Sequence, residues 1–142
     1  MTLVPIRRLV PAAFAAGLLT LALFAPARAA DPAPEVKVKV VDSKPMANVP
    51  GNSLTAVEAE YPPGASMPSH RHPGFVFAYV LSGRLQSQLN SGEMIEYKAG
   101  QSWIEPPGTK HTAIGNPSKT EPARLLAVFI APTGADLTGY DK

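Results

Sequence analysis

Nowhere beyond residue 30 does an apolar stripe recur at three-to-four spacing over ten residues without a proline or glycine breaking it. An amphipathic helix needs that unbroken stripe, so a helical domain is excluded. Most of the 16 prolines and 11 glycines lie in this part and cut it into short segments. Glu35 to Val40 alternates charged and apolar residues, the period-2 mark of a half-buried strand. Ser53 to Tyr61 is β-compatible and stops at Pro62-Pro63-Gly64, and Phe75 to Leu81 is a continuous β-branched and aromatic run. Arg84 to Leu89 alternates again, Glu93 to Tyr97 and Gln101 to Glu105 are short, and Ala123 to Ala131 is the last long apolar strand. Gly83 and Ser91-Gly92 predict hairpins. Short strands punctuated in this way predict an all-β sandwich or barrel.

Residues 1–29 have a different character. Arg7 and Arg8 open a basic start, Leu9 to Phe24 is apolar, and Ala27-Arg28-Ala29 is a small-residue cleavage site. The pattern predicts a signal peptide cut after Ala29, hence export to the periplasm or medium with no membrane anchor left behind. Residues 30–34 form a Pro/Ala linker, and residues 35–142 make one domain. The chain holds 13 Lys+Arg and 11 Asp+Glu. Loss of Arg7, Arg8 and Arg28 leaves 13 − 3 = 10 against 11, a net charge of −1. Bulk charge then gives no support to a nucleic-acid partner. There is no cysteine, so disulfides, thiolate ligands, a thiol nucleophile and a lipidated anchor are all excluded.

All three histidines fall in two short motifs, His70-Arg71-His72 and Gly108-Thr109-Lys110-His111. Neutral imidazole is the commonest protein metal ligand, and residues two apart on a strand share a face. His70 and His72 can therefore grip one ion together, with Arg71 turned away and His111 arriving from another strand behind the Pro106-Pro107-Gly108 turn. With no histidine elsewhere, no separate Ser-His-Asp arrangement exists.

The spacing around these histidines resembles the two motifs of the cupin superfamily. Gly64, five residues, His70-Arg71-His72 and the later Gly83 match the first motif, glycine–five residues–His-x-His–three or four residues–glutamate–six residues–glycine. Gly100, five residues, Pro106, Gly108 and His111 match the second, whose terminal asparagine is offset by one to Asn116. The resemblance implies a cupin-type jelly-roll β-barrel of two antiparallel sheets with a metal site inside its mouth. It also favours a homodimer. One departure stands out: Val76 occupies the glutamate position, and Phe77, the alternative position, cannot coordinate either.

The expected site is one divalent transition metal (Fe, Ni, Cu, Zn or Mn) held by His70, His72 and His111. Three neutral ligands leave the ion's charge uncompensated, which favours anionic ligands and Lewis acidity. Val76, Ala78, Gln88 and Glu105 are the remaining pocket candidates, and Val80 and Trp103 are further apolar lining. For Glu105 a solvated strand-end position is expected ahead of a swing toward the ion, and for Gln88 an outward-facing position. If Val76 and Ala78 face inward, Phe75, Phe77, Tyr79 and Leu81 face outward and need a cover, either the Val36–Val40 strand or a second subunit. A bulge at Pro73-Gly74 would instead shift the parity and bury the rings. The function expected is a small-molecule metalloenzyme of oxygenase type; a non-catalytic metal- or small-ligand-binding protein is the alternative, and a metal-free barrel the third.

Overall fold

Eleven strands and no helix make up residues 34–140, the part of the chain that the computed structural model describes. The predicted leader lies outside the described residues. The strands are β1 (Lys37–Pro45), β2 (Asn52–Tyr61), β3 (Ser66–Met67), β4 (His70–Arg71), β5 (Phe75–Ser82), β6 (Arg84–Leu89), β7 (Ile95–Lys98), β8 (Ser102–Glu105), β9 (Lys110–Gly115), β10 (Ala123–Pro132) and β11 (Gly139–Tyr140). One antiparallel sheet runs β1-β2-β10-β5-β8. The other runs β11-β4-β9-β6-β7, with β3 also paired to β9. The all-β, two-sheet expectation holds.

Alternation along β2, β5 and β10 places the core between the sheets. Val57, Ala59 and Tyr61 point inward from β2, Val76, Ala78 and Val80 from β5, and Leu125, Ala127 and Phe129 from β10. Full burial of a Val-sized side chain contributes roughly 1.5–3 kcal/mol, so these three central strands carry most of the hydrophobic stabilisation. No parity-shifting bulge intervenes at Pro73-Gly74. Gly74 instead lets the chain cross from β4 in one sheet to β5 in the other while pressed against β10. A Cβ there would lie 2.0 Å from the Ile130 carbonyl oxygen.

Two expectations fail. Gly83 does not form a hairpin, because β5 and β6 belong to different sheets; it turns the corner between them at φ +70°, where a Cβ would meet the Pro122 carbonyl at 2.6 Å. The hairpin at Ser91-Gly92 does form, joining β6 to β7. Of the predicted half-buried N-terminal strand, Val36 does pack partly buried against the core, but β1 itself is exposed along its whole length. β1 is a sheet edge, and Val38 and Val40, although on the inward-facing side opposite β2, remain 59% and 56% exposed. β1 also cannot cover the rings of β5, since it lies in the same sheet at the opposite edge from β8. The outer face keeps Phe77, Leu81 and Ile104 exposed, with Phe77 and Ile104 register partners.

Candidate metal centre

The two His motifs meet because β4 and β9 pair, with His70 opposite His111. His70 is buried on β4, and His72 follows on the same side just past the strand end. Arg71 between them points outward, and its guanidinium donates to the Gly108 carbonyl at 2.9 Å, tying β4 to the turn ahead of β9. The three imidazoles each offer a nitrogen, all within 4.8 Å of one another, and together can hold a metal ion.

The second nitrogen of each ring has its own partner, which fixes how the ring is turned. His70 Nδ1 lies 2.7 Å from the Pro68 carbonyl oxygen and His72 Nδ1 lies 2.6 Å from that of Leu137. A carbonyl only accepts, so both Nδ1 atoms carry a proton, and in the neutral rings both Nε2 atoms keep a lone pair. His111 is reversed: its Nε2 meets the Ser87 hydroxyl at 2.9 Å, and its Nδ1 faces the pocket. Such outer partners orient metal-binding histidines and set their tautomers. Burial holds the His70 pKa below the ordinary imidazole value, outweighing its Pro68 hydrogen bond, so the ring stays neutral and able to ligate.

Glu105 overturns the expectation of a solvated strand end. It is 2% exposed, at the inner end of β8. Oε1 accepts from the Trp103 indole at 2.9 Å and lies 3.2 Å from His111 Nδ1; Oε2 lies 3.8 Å from His72 Nε2 and, although buried, has no hydrogen-bond partner. Burial pushes its pKa up, but His111, Trp103 and His72 together outweigh that and leave it below the ordinary carboxylate value. The carboxylate is therefore ionised at neutral pH, so the expected all-neutral surroundings of the ion do not hold. Its cross-strand neighbour is Val76, the position where the family motif has a glutamate.

Val76 and Ala78 line the pocket with Val57, Leu125, Ala127 and Phe129. Gln88 does not: it lies on the outward side of β6 and donates to the Gly92 carbonyl at 2.8 Å. Its neighbours Leu85 and Ser87 take the inward side. Val80 and Trp103 belong to the adjacent core cluster rather than to the pocket. Trp103 stacks near Tyr97, at a ring-centroid distance of 4.6 Å, and holds Glu105.

Reading by motif misses three contributors. Ser87 and the Leu137 carbonyl act through hydrogen bonds to histidines far away in sequence. Tyr61 lines the pocket, is 2% exposed, and donates to the Met67 thioether at 3.2 Å. Burial, then the Glu105 charge, raises its pKa above the usual phenol value. The alternation of Ser87 with Leu85 was the one available signal for an inward position. The offset Asn116 also has a role: its amide lies within hydrogen-bond reach of the Tyr61, Pro62 and Glu121 carbonyls and pins the turn after β2.

The free space between these side chains is about 60 Å³. That is several times the ~10–15 Å³ one water needs and well below the ~150 Å³ of a cavity that takes benzene. A pocket of this kind, with three convergent imidazoles and a buried carboxylate inside a two-sheet barrel, is a candidate metal centre.

The cupin domain family model matches residues 57–129, which include both histidine motifs. The chain belongs to the cupin family. No curated protein matches it. Among solved structures, it is similar to an uncharacterised conserved protein with a double-stranded β-helix domain from Klebsiella pneumoniae, at 27% identity and TM-score 0.59, over 76% of this chain and 86% of that one. It is similar in fold to KdgF from Halomonas sp., at 22% identity and TM-score 0.56, over 70% and 81%. A DMSP lyase structure aligns at 23% identity and TM-score 0.55, over 63% of this chain and 44% of that one.

Proposed function

We propose that this cupin is an exported small-molecule metalloenzyme that binds one divalent transition metal through His70, His72 and His111 and acts as an oxygenase on a small anionic or enolic substrate. The observation that carries the reading is the convergence of three oriented imidazoles on a pocket whose other walls are chiefly apolar. The donor set fits a borderline metal: each ring turns one nitrogen inward and has a partner for the other. The orphaned Oε2 of Glu105 points to a cation among these groups.

A bound ion supplies Lewis acidity and, when redox-active, one-electron chemistry with O₂. The chain's residues do the rest. Val57, Val76 and Phe129 keep bulk water from the site, which strengthens every electrostatic contact within it. A divalent charge beside one carboxylate leaves a net positive site, suited to a monoanionic oxygen ligand. Tyr61 holds its phenolic proton well beyond neutral pH and offers a hydroxyl rather than a phenolate to whatever enters.

The small volume favours one second reading, a non-catalytic binder of metal or of a very small ligand. Metal analysis of protein purified without a nickel column, beside a His111→Ala variant, tests the site; equal sub-stoichiometric metal in both refutes it. O₂ uptake across a panel of enolic and thiol-acid compounds then separates the readings. Turnover supports the oxygenase, while ligand-induced thermal stabilisation without turnover supports the binder.

A further inference from the structure

The family motif places its metal-binding carboxylate on the strand that follows His-x-His, and here that position is Val76, which cannot ligate. Val76 and Glu105 are register partners across β5 and β8. Directly opposed residues in antiparallel strands have Cβ atoms only about 4.5–5.5 Å apart and project to the same face. A carboxylate rooted at 105 therefore starts about one strand spacing from where one rooted at 76 would start, and faces the same pocket.

Three observations show where that carboxylate is directed. The side chain is 2% exposed, so it gains nothing from solvent. Its two oxygens face the inward nitrogens of two different histidines, Oε1 toward His111 Nδ1 at 3.2 Å and Oε2 toward His72 Nε2 at 3.8 Å. The indole of Trp103 donates to Oε1 at 2.9 Å, while Oε2 is buried with no hydrogen-bond partner. A neutral His72, its Nδ1 proton held by the Leu137 carbonyl, has a lone pair on Nε2 and cannot donate to that oxygen. An acceptor thus faces an acceptor across 3.8 Å, an arrangement satisfied by a cation between them.

The lining agrees, since it offers no lysine or arginine to partner the free oxygen. We propose that Glu105 is the fourth donor to the ion held by His70, His72 and His111, so that the carboxylate missing at Val76 is supplied from the neighbouring strand β8. This rests on the three-histidine metal site proposed above.

The test is a chelator-competition titration of metal-free protein with Zn(II) and Co(II), comparing wild type with Glu105→Gln. Loss of an outer hydrogen-bond partner lowers metal affinity about 10–100-fold. Loss of a direct donor is expected to exceed about 100-fold, the upper end of that range, and to change the visible spectrum of the cobalt form. Trp103→Phe, which removes the hydrogen bond to Glu105 and some core volume but no donor atom, is expected to stay within the outer-partner range and leave the cobalt spectrum's form unchanged. Glu105→Gln combined with Val76→Glu is expected to regain most of the lost affinity, since the carboxylate returns to the same face.

An infrared difference spectrum of wild type, metal-loaded minus metal-free, needs no variant. Carboxylate bands that shift on loading support the assignment, and a difference spectrum with imidazole bands alone overturns it. Wild type and Glu105→Gln binding metal with equal affinity and identical cobalt spectra would overturn the role of Glu105 while leaving the histidine site standing. Failure of wild type to bind either metal would instead overturn the site itself, and Glu105's role with it.

Discussion

The hydroxyl of Ser87 is the structural detail on which the orientation of His111 depends. Ser87 is 3% exposed and His111 2%, and their Oγ···Nε2 separation is 2.9 Å. Ser87→Ala removes the partner and leaves a buried ring nitrogen unsatisfied, which costs about 1–3 kcal/mol. At roughly 4 °C per kcal/mol for a domain of this size, the metal-free protein should melt about 4–12 °C lower. The second effect falls on ligation. With Nε2 no longer held, the ring loses the contact that aims Nδ1 at the pocket, and outer-partner losses of this kind lower metal affinity about 10–100-fold. Differential scanning fluorimetry of metal-free protein reads the first effect, and competition against a chelator of known affinity reads the second. Gln88→Ala is the internal control, since Gln88 lies one residue away on the outward side and should change neither metal affinity nor the cobalt spectrum. A Ser87→Ala variant that melts lower but binds Zn(II) within twofold of wild type would refute the orienting role and leave Ser87 a packing residue.

Three other perturbations test separate parts of the structure. Gly74→Ala drives a methyl group to 2.0 Å from the Ile130 carbonyl and must lift β5 from β10, so a loss above about 3 kcal/mol is expected in chemical denaturation, and a melt near wild type would contradict the crossover geometry. Tyr61 has a pKa raised above its ordinary 10.0 by burial and the Glu105 charge. The folded state therefore keeps a proton that the unfolded chain releases above pH 10, and stability falls as pH rises through that range. Tyr61→Phe should flatten the decline in unfolding free energy between about pH 10 and 12, whereas parallel slopes would show that Tyr61 does not contribute to it. The outer residues Phe77, Leu81 and Ile104 cannot take the first of the two expected covers, because β1 lies in their own sheet. We therefore propose a second copy of the chain as the cover. Light scattering should give a dimer for wild type and a monomer for Phe77→Asp, and a monomeric wild type would refute it.

How far the sequence could be read depended on the range of the interaction. Period-2 alternation is local, so it located the long strands and the inward faces of Val76, Ala78 and Val80 correctly. The His-x-His spacing is local too, and it foretold that Arg71 would turn away. The exposure of β1 was not legible, because alternation records which residues could face a core and not whether a second layer lies opposite. Gly83 reads as a hairpin from its neighbours alone; that it turns between two sheets follows from which strands pair, and β5 pairs with β10 and β8 instead of β6. The two-residue strand at the first histidine motif is too short to announce itself, and its identity as a strand comes from pairing with β9.

Glu105 shows the same limit at the level of chemistry. A carboxylate beside a proline turn has the sequence signature of a solvated strand end, and nothing within several residues says otherwise. Its burial follows from a register that pairs Val76 with Glu105 across a long stretch of chain. In a linear motif, replacing the glutamate by valine reads as a deleted ligand. In a sheet, the same position in space has two sources, the residue itself and its cross-strand partner, and exchange between them conserves the charge facing the histidines. Apolar Val76 and acidic Glu105 are then one arrangement and not two independent facts: a bulkier acid at 76 beside an acid at 105 would set two carboxylates against each other in a pocket of about 60 Å³. Like charges confined in that way raise one another's pKa. A Val76→Glu change made alone should therefore weaken folding, whereas the same change made together with Glu105→Gln should be tolerated. That non-additivity, measured as a double-mutant cycle on unfolding free energy of the metal-free protein, should amount to at least about 1 kcal/mol for residues in direct contact. Additive energies would mean that the two positions do not share one charge.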